Sequence, residues 1–222
     1  MRMHISPGSL WIAYTLTKPA IVHDMMPPSL ELSACKLLKD DRTAFPTPKL
    51  LFNVYKVESP WMHGMRVDVL TLAKHKTTNK HHLVLLDCLS NTLQWTPQQG
   101  VYGPNCFFFR NNCGSLISKD YTMAFTNSKG RFTLAAKQDR IRPIDWTFAV
   151  QANLACYYKN YEMPFLMSFN HSEIMQPVRD LIPMHISNTF WSECRSQKES
   201  HLFYHEHAMD FDVDVVSFAK QI

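Results

Sequence analysis

Residues 95–110 gather the groups best suited to chemistry: Tyr102, Asn105, Cys106 and Arg110 lie on one short stretch, with Gly100, Gly103 and Pro104 shaping its entry. Cysteine is a competent nucleophile once a nearby cation or histidine lowers its thiol pKa, so Cys106 is the candidate catalytic group. The commoner role of a cysteine between phenylalanines is packing, and Cys106 precedes Phe107 and Phe109. Asn105 can hydrogen-bond a ligand carbonyl or carboxylate, or cap the turn made by Gly103 and Pro104. Arg110 offers a two-pronged clamp for a carboxylate, although its place at the end of an apolar run also suits a strand-end ion pair. Tyr102 fits a pocket wall or the core. Neighbours in a strand point to opposite faces, so Asn105 and Cys106 cannot both face a pocket.

Histidines supply the other constellation. His201, His205 and His207 alternate along one strand-like run, and side chains two apart on a strand point the same way and can reach one ion. Nothing in the sequence supplies the outer partners that orient metal-bound imidazoles, and the reading carries no metal and no cofactor. His75, Lys76, Lys80, His81 and His82 cluster at a turn and read as a solvated hairpin tip. No phosphate-binding loop, dinucleotide fingerprint or ordered Ser, His and Asp set is present.

The elements that must position these groups are mostly strands. Period-2 patterning or apolar runs predict strands at 10–15, 29–38, 50–57, 65–74, 82–89, 118–125, 131–136, 147–158, 165–171 and along 201–218. In the last run Phe203, Met209, Phe211, Val213 and Val215 share a face with the histidines, and Asp210, Asp212 and Asp214 lie on the other. Thr17 to Met26 has a cap-type residue, an early proline and apolar residues at helical spacing, so it predicts a short helix stopped by Pro27 and Pro28. Glu173 to Leu181 predicts a helical turn or two. Many strands and few helices predict a mainly β (α+β) domain, antiparallel, closing into a barrel or cone.

Composition bounds the rest. At 222 residues the chain has room for one sizeable core, so residues 1–222 are read as a single domain. A net charge of +4, scattered along the chain, gives no clustered basic face for nucleic acid. The six cysteines show no CxxC pair, which favours reduced thiols and, with no apolar leader and no membrane span, a cytoplasmic setting.

Two segments resemble the acetoacetate decarboxylase-like superfamily. Residues 10–32 are similar to its opening, where a strand leads to a short helix and then to a proline beginning P-x-x-L-x-[LV] and a second strand. Gly100-Val-Tyr-Gly-Pro-Asn-Cys106 falls where the superfamily has E-x-x-G-[FY]-P-K-K. The resemblance implies a twisted antiparallel β-cone with a few short helices, enclosing an apolar pocket for a small organic acid. It also implies His171 as a pocket candidate, by similarity to a histidine in outer members.

The superfamily's decarboxylase forms a Schiff base through a lysine of that signature. Here Asn105 and Cys106 follow Pro104, and Gly100 or Val101 stands where the glutamate belongs. Neither Asn nor Cys can form a Schiff base, so the expectation is a small-molecule-binding protein that is not a decarboxylase. Its ligand would be a small, anionic or carbonyl-bearing compound touching Tyr102, Asn105, Arg110 and His171. The alternatives are an enzyme using Cys106 or a histidine-bound metal, and a non-catalytic protein whose β-cone assembles into a homo-oligomer or binds a partner.

Overall fold

The computed structural model describes residues 2–36, 45–59, 63–90, 121–127, 130–142, 153–159, 162, 164–174 and 176–213. The stretch carrying Tyr102, Asn105, Cys106 and Arg110 lies outside them.

Alternating and β-branched segments become strands, as the pattern dictates. In chain order they are β1 (Arg2–Ile5), β2 (Ser9–Leu16), β3 (Leu30–Leu32), β4 (Lys49–Glu58), β5 (His63–His75), β6 (His81–Ser90), β7 (Thr122–Asn127), β8 (Gly130–Arg142), β9 (Asn153–Tyr158), β10 (Phe165–Phe169), β11 (Val178–Asn188), β12 (Arg195–His205) and β13 (Met209–Val213). Two short helices accompany them, α1 (Pro19–His23) and α2 (His171–Ile174). Proline opens α1, where its missing N–H costs nothing.

The strands make one sheet in the order β3-β5-β6-β9-β10-β13-β1-β4-β2-β12-β11-β8-β7, with β4 also paired to β5. That extra pairing closes β4, β5, β6, β9, β10, β13 and β1 into a seven-stranded barrel. The β6–β9 pair is parallel and the other six pairs of the barrel are antiparallel, so the barrel is mixed and mainly antiparallel, as expected. One edge of β4 carries β5; the other is shared, β2 pairing residues 49–54 and β1 pairing Val57 and Glu58. At that division β2, β12, β11, β8 and β7 leave the barrel, while β3 pairs with β5.

Register assigns the faces. Leu51, Asn53 and Tyr55 of β4 pair with Leu70, Asp68 and Arg66 of β5, and Ile5 pairs with Val57. Continuing through Met3, Phe211, Val213, Met167, Phe165 and Cys156, this face is buried or half-buried, whereas Arg2 and Asp212 opposite are exposed. The first face is therefore the barrel interior. An apolar cluster of Ala13, Leu51, Leu70, Leu72, Leu83, Cys156 and Phe203 fills part of it, with Trp11, Phe165 and Met167 packed alongside. On the other face Phe52, Val67, Val69 and Val84 join Tyr14, Phe132, Leu134 and Leu202 of the outer strands in the larger core.

Two expectations along the chain are corrected. The run 201–218 is not one strand: β12 ends at His205 and β13 starts at Met209, pairing with β1 and β10 while β12 pairs with β2 and β11. His207 thus leaves the strand and is exposed, and the ladder of three histidines does not form. The helical turn stops at Ile174, and Val178 to Leu181 begins β11, held by β8 across a bulged register. The hairpin at residues 75–82 is as expected, with an exposed tip at residues 76–81. The His75 ring nitrogen Nδ1 accepts from the Thr77 and Thr78 amides, which shapes the turn.

Candidate functional site

Inside the barrel, three polar residues of the inward face bond to one another. Arg66 and Asp68 are two apart on β5, so they share the inward face, and Tyr55 of β4 is the register partner of Arg66. Arg66 Nη2 donates to Asp68 Oδ1 at 2.9 Å, Arg66 Nε donates to the Tyr55 hydroxyl at 2.9 Å, and that hydroxyl donates to Asp68 Oδ2 at 2.6 Å. The three groups form a closed ring of charge-assisted hydrogen bonds with Arg66 only 7% exposed. The guanidinium also lies 5.9 Å from the Tyr55 ring centroid.

The electrostatics follow from burial. Desolvation is the largest influence on Arg66 and opposes its charge, but the Asp68 carboxylate and its neighbours outweigh it and hold the guanidinium pKa well above its ordinary value. Burial pushes the Tyr55 phenol well up, the Arg66 charge opposing only in part. It also pushes up the thiols of Cys88, opposite Asp68 on β6, and of Cys156. Both are protonated at neutral pH and neither is a nucleophile there. Cys35, Cys88, Cys156 and Cys194, the described cysteines, are all buried thiols.

The same face extends onto the outer strands. Asn53 pairs with Trp11, and Trp11 with Phe203; His205 lies two residues beyond Phe203 on β12. Asn53 Oδ1 and His205 Nε2 are buried and have no hydrogen-bond partner among the described residues. At the other end of β4, Lys49 has the same parity as Leu51 and Asn53 and is 3% exposed. Among the described residues no group of three His, Cys, Asp or Glu side chains is placed to hold a metal ion. No helix there is long and apolar enough to cross a membrane.

Of the site residues read from sequence, His171 is placed at the first position of α2. Tyr102, Asn105, Cys106 and Arg110 lie outside the described residues. Arg66, Asp68, Tyr55 and Asn53 were missed. Met65-Arg-Val-Asp-Val69 reads as a strand with a wet face, and only the closed barrel turns that face inward. A signal was present: Leu70 and Leu72 continue the parity of Arg66 and Asp68, so the face cannot be wholly solvated.

No family model matches the sequence, and no curated protein matches it either. Among solved structures, the chain is similar to the enduracididine biosynthesis enzyme MppR complexed with the condensation product of pyruvate and imidazole 4-carboxaldehyde. The identity is 13% and the TM-score 0.50, over 96% of this chain and 87% of that one. MppR with HEPES bound matches at 12% identity and TM-score 0.49, over 96% and 85% of the two chains. Acetoacetate decarboxylase from Legionella pneumophila matches at 10% and 0.41, over 96% and 84%. At such identities the likeness is one of fold: the chain has the acetoacetate decarboxylase-like β-barrel.

Proposed function

We propose that the protein binds a small carboxylate or carbonyl compound inside the barrel, and that it is not a decarboxylase of the signature-lysine type. The observation that carries the reading is the buried Arg66–Asp68–Tyr55 ring on the inward face of the barrel. A buried ion pair costs desolvation that its mutual attraction seldom exceeds, so a well-packed apolar trio would serve stability as well or better. A guanidinium only donates, and its complement is an oxygen-rich acceptor such as a carboxylate or carbonyl; the one proton of the phenol goes to Asp68. Asp68 and Tyr55 hold the guanidinium in place beforehand, which lowers the ordering cost of binding. MppR, of the same fold, has been solved with a pyruvate-derived product. In this reading Tyr102, Asn105, Arg110 and His171 complete the pocket, with Cys106 as the candidate reactive group, in one cytoplasmic domain over residues 1–222.

Thermal unfolding of the full chain with pyruvate and other small keto acids and carboxylates tests this. A ligand at roughly a hundred times its Kd adds about 2.7 kcal/mol. The expected result is a rise in midpoint that Tyr55→Phe diminishes; no rise with any of these acids overturns the reading.

A further inference from the structure

Two buried acceptors on the inward sheet face await donors. His205, 3% exposed, has Nδ1 3.1 Å from the carbonyl oxygen of His207. A carbonyl only accepts, so Nδ1 carries the proton and donates. Burial, the largest influence, holds the ring below its ordinary pKa. The imidazole is therefore neutral at neutral pH, and Nε2 presents a bare lone pair. That atom is buried without a partner among the described residues, as is Oδ1 of Asn53, itself 9% exposed. Leaving a buried polar atom unpaired costs on the order of 1–3 kcal/mol, so two on one face mark a place that something else completes.

Their positions are related by register. Asn53, Trp11 and Phe203 lie in one row across β4, β2 and β12, and His205 lies one same-face step further along β12. Two strand spacings and two residues of rise put the Asn53 and His205 Cα atoms about 12 Å apart, with the Trp11 and Phe203 rings between them. Phe203 and Trp11 both belong to the inner apolar cluster. An apolar floor with an acceptor at each end is the complement of a small molecule carrying donors.

We propose that the interior ligand is recognised through its own hydroxyl or amino groups, which donate to His205 Nε2 and Asn53 Oδ1. This rests on the reading that a small carboxylate occupies the barrel and narrows it: the ligand is a hydroxy or amino acid rather than a bare keto acid. A keto acid brings acceptors to acceptors and leaves both protein atoms unpaired.

Calorimetric titration of the full chain with pyruvate, lactate and glycerate tests the point, because these three-carbon acids carry no, one and two hydroxyl groups. The expected result is an affinity for lactate and glycerate about tenfold above that for pyruvate, matching one acceptor paired by one hydroxyl. His205→Phe or Asn53→Leu should remove that gain, whichever acceptor the hydroxyl reaches. Both place an apolar group where an acceptor was unpaired, and should either fail to fold, the series on the unmodified chain still decides. Equal affinities for the three acids would overturn the donor requirement while leaving the interior ligand in place. Absence of binding by all three would overturn the interior ligand itself and this inference with it.

Discussion

Arg66 and Asp68 show how one pair of side chains can be costly to hold and costlier to break. With Arg66 removed, Asp68 loses its guanidinium partner in a barrel whose neighbouring thiols and phenol are neutral. Urea denaturation of Arg66→Leu should therefore show a loss of about 3–5 kcal/mol. Tyr55→Phe, which leaves the ion pair and takes away one hydroxyl, should lose about 1–3 kcal/mol. Replacing Arg66 and Asp68 together by leucine should recover most of the single-variant loss, and a double variant as unstable as the sum of its singles would show that the pair is not coupled. His205 makes a second prediction at this scale. Its folded pKa is lowered by burial, so below about pH 6.5 the unfolded chain binds a proton that the folded one refuses. Stability should be fully present above that pH and fall as the pH drops through it, and His205→Phe should flatten the slope between pH 7 and 5 in urea midpoints.

At the scale of elements, much of the architecture was legible because period-2 patterning and turn chemistry act locally. The hairpin of β5 and β6, the helix opened by Pro19 and the strand β4 fall where the pattern placed them. The failures share a physical cause. The run 201–218 keeps its alternation through Glu206–Ala208, so nothing local marks the break, and it is the pairing of β12 with β2 and of β13 with β1 that divides it. The segment 178–188 contains Pro183, which argues against a central strand, yet β11 accommodates it beside a register shift between Asp180 and Leu181 and another between Pro183 and His185. The turn between β1 and β2 depends on Gly8, whose φ of +99° suits glycine and where a Cβ would sit 3.0 Å from the Tyr204 hydroxyl oxygen. The candidate site was less legible than the strands that carry it: Asn53, Tyr55, Arg66 and Asp68 acquire a common face only through register, and His205 acquires its lone pair only through the carbonyl two residues on.

At the scale of the molecule, the barrel is closed by its shortest member. Strand β1 lies between β13 and the last residues of β4, so the pairing of Met3 with Phe211 joins opposite ends of the described chain, and Ile5 pairs with Val57. Its inward side chains, Met3 and Ile5, are buried, and its outward ones tie the same seam from solvent: Arg2 donates to Asp210 Oδ2 at 2.8 Å, and His4 Nδ1 lies 2.6 Å from Asp210 Oδ1. Those exposed contacts contribute little, since water and salt screen them. The closing energy resides in Met3 and Ile5, each worth about 1.5–3 kcal/mol of burial, together a large part of the 5–15 kcal/mol that holds a typical domain. A chain lacking residues 1–5 should therefore show a much lower urea midpoint and weaker binding of any interior ligand, whereas Arg2→Ala should change neither by a measurable amount. An unchanged midpoint in the shortened chain would mean that β13 and β4 hold the barrel without β1, and that the interior polar group does not depend on closure.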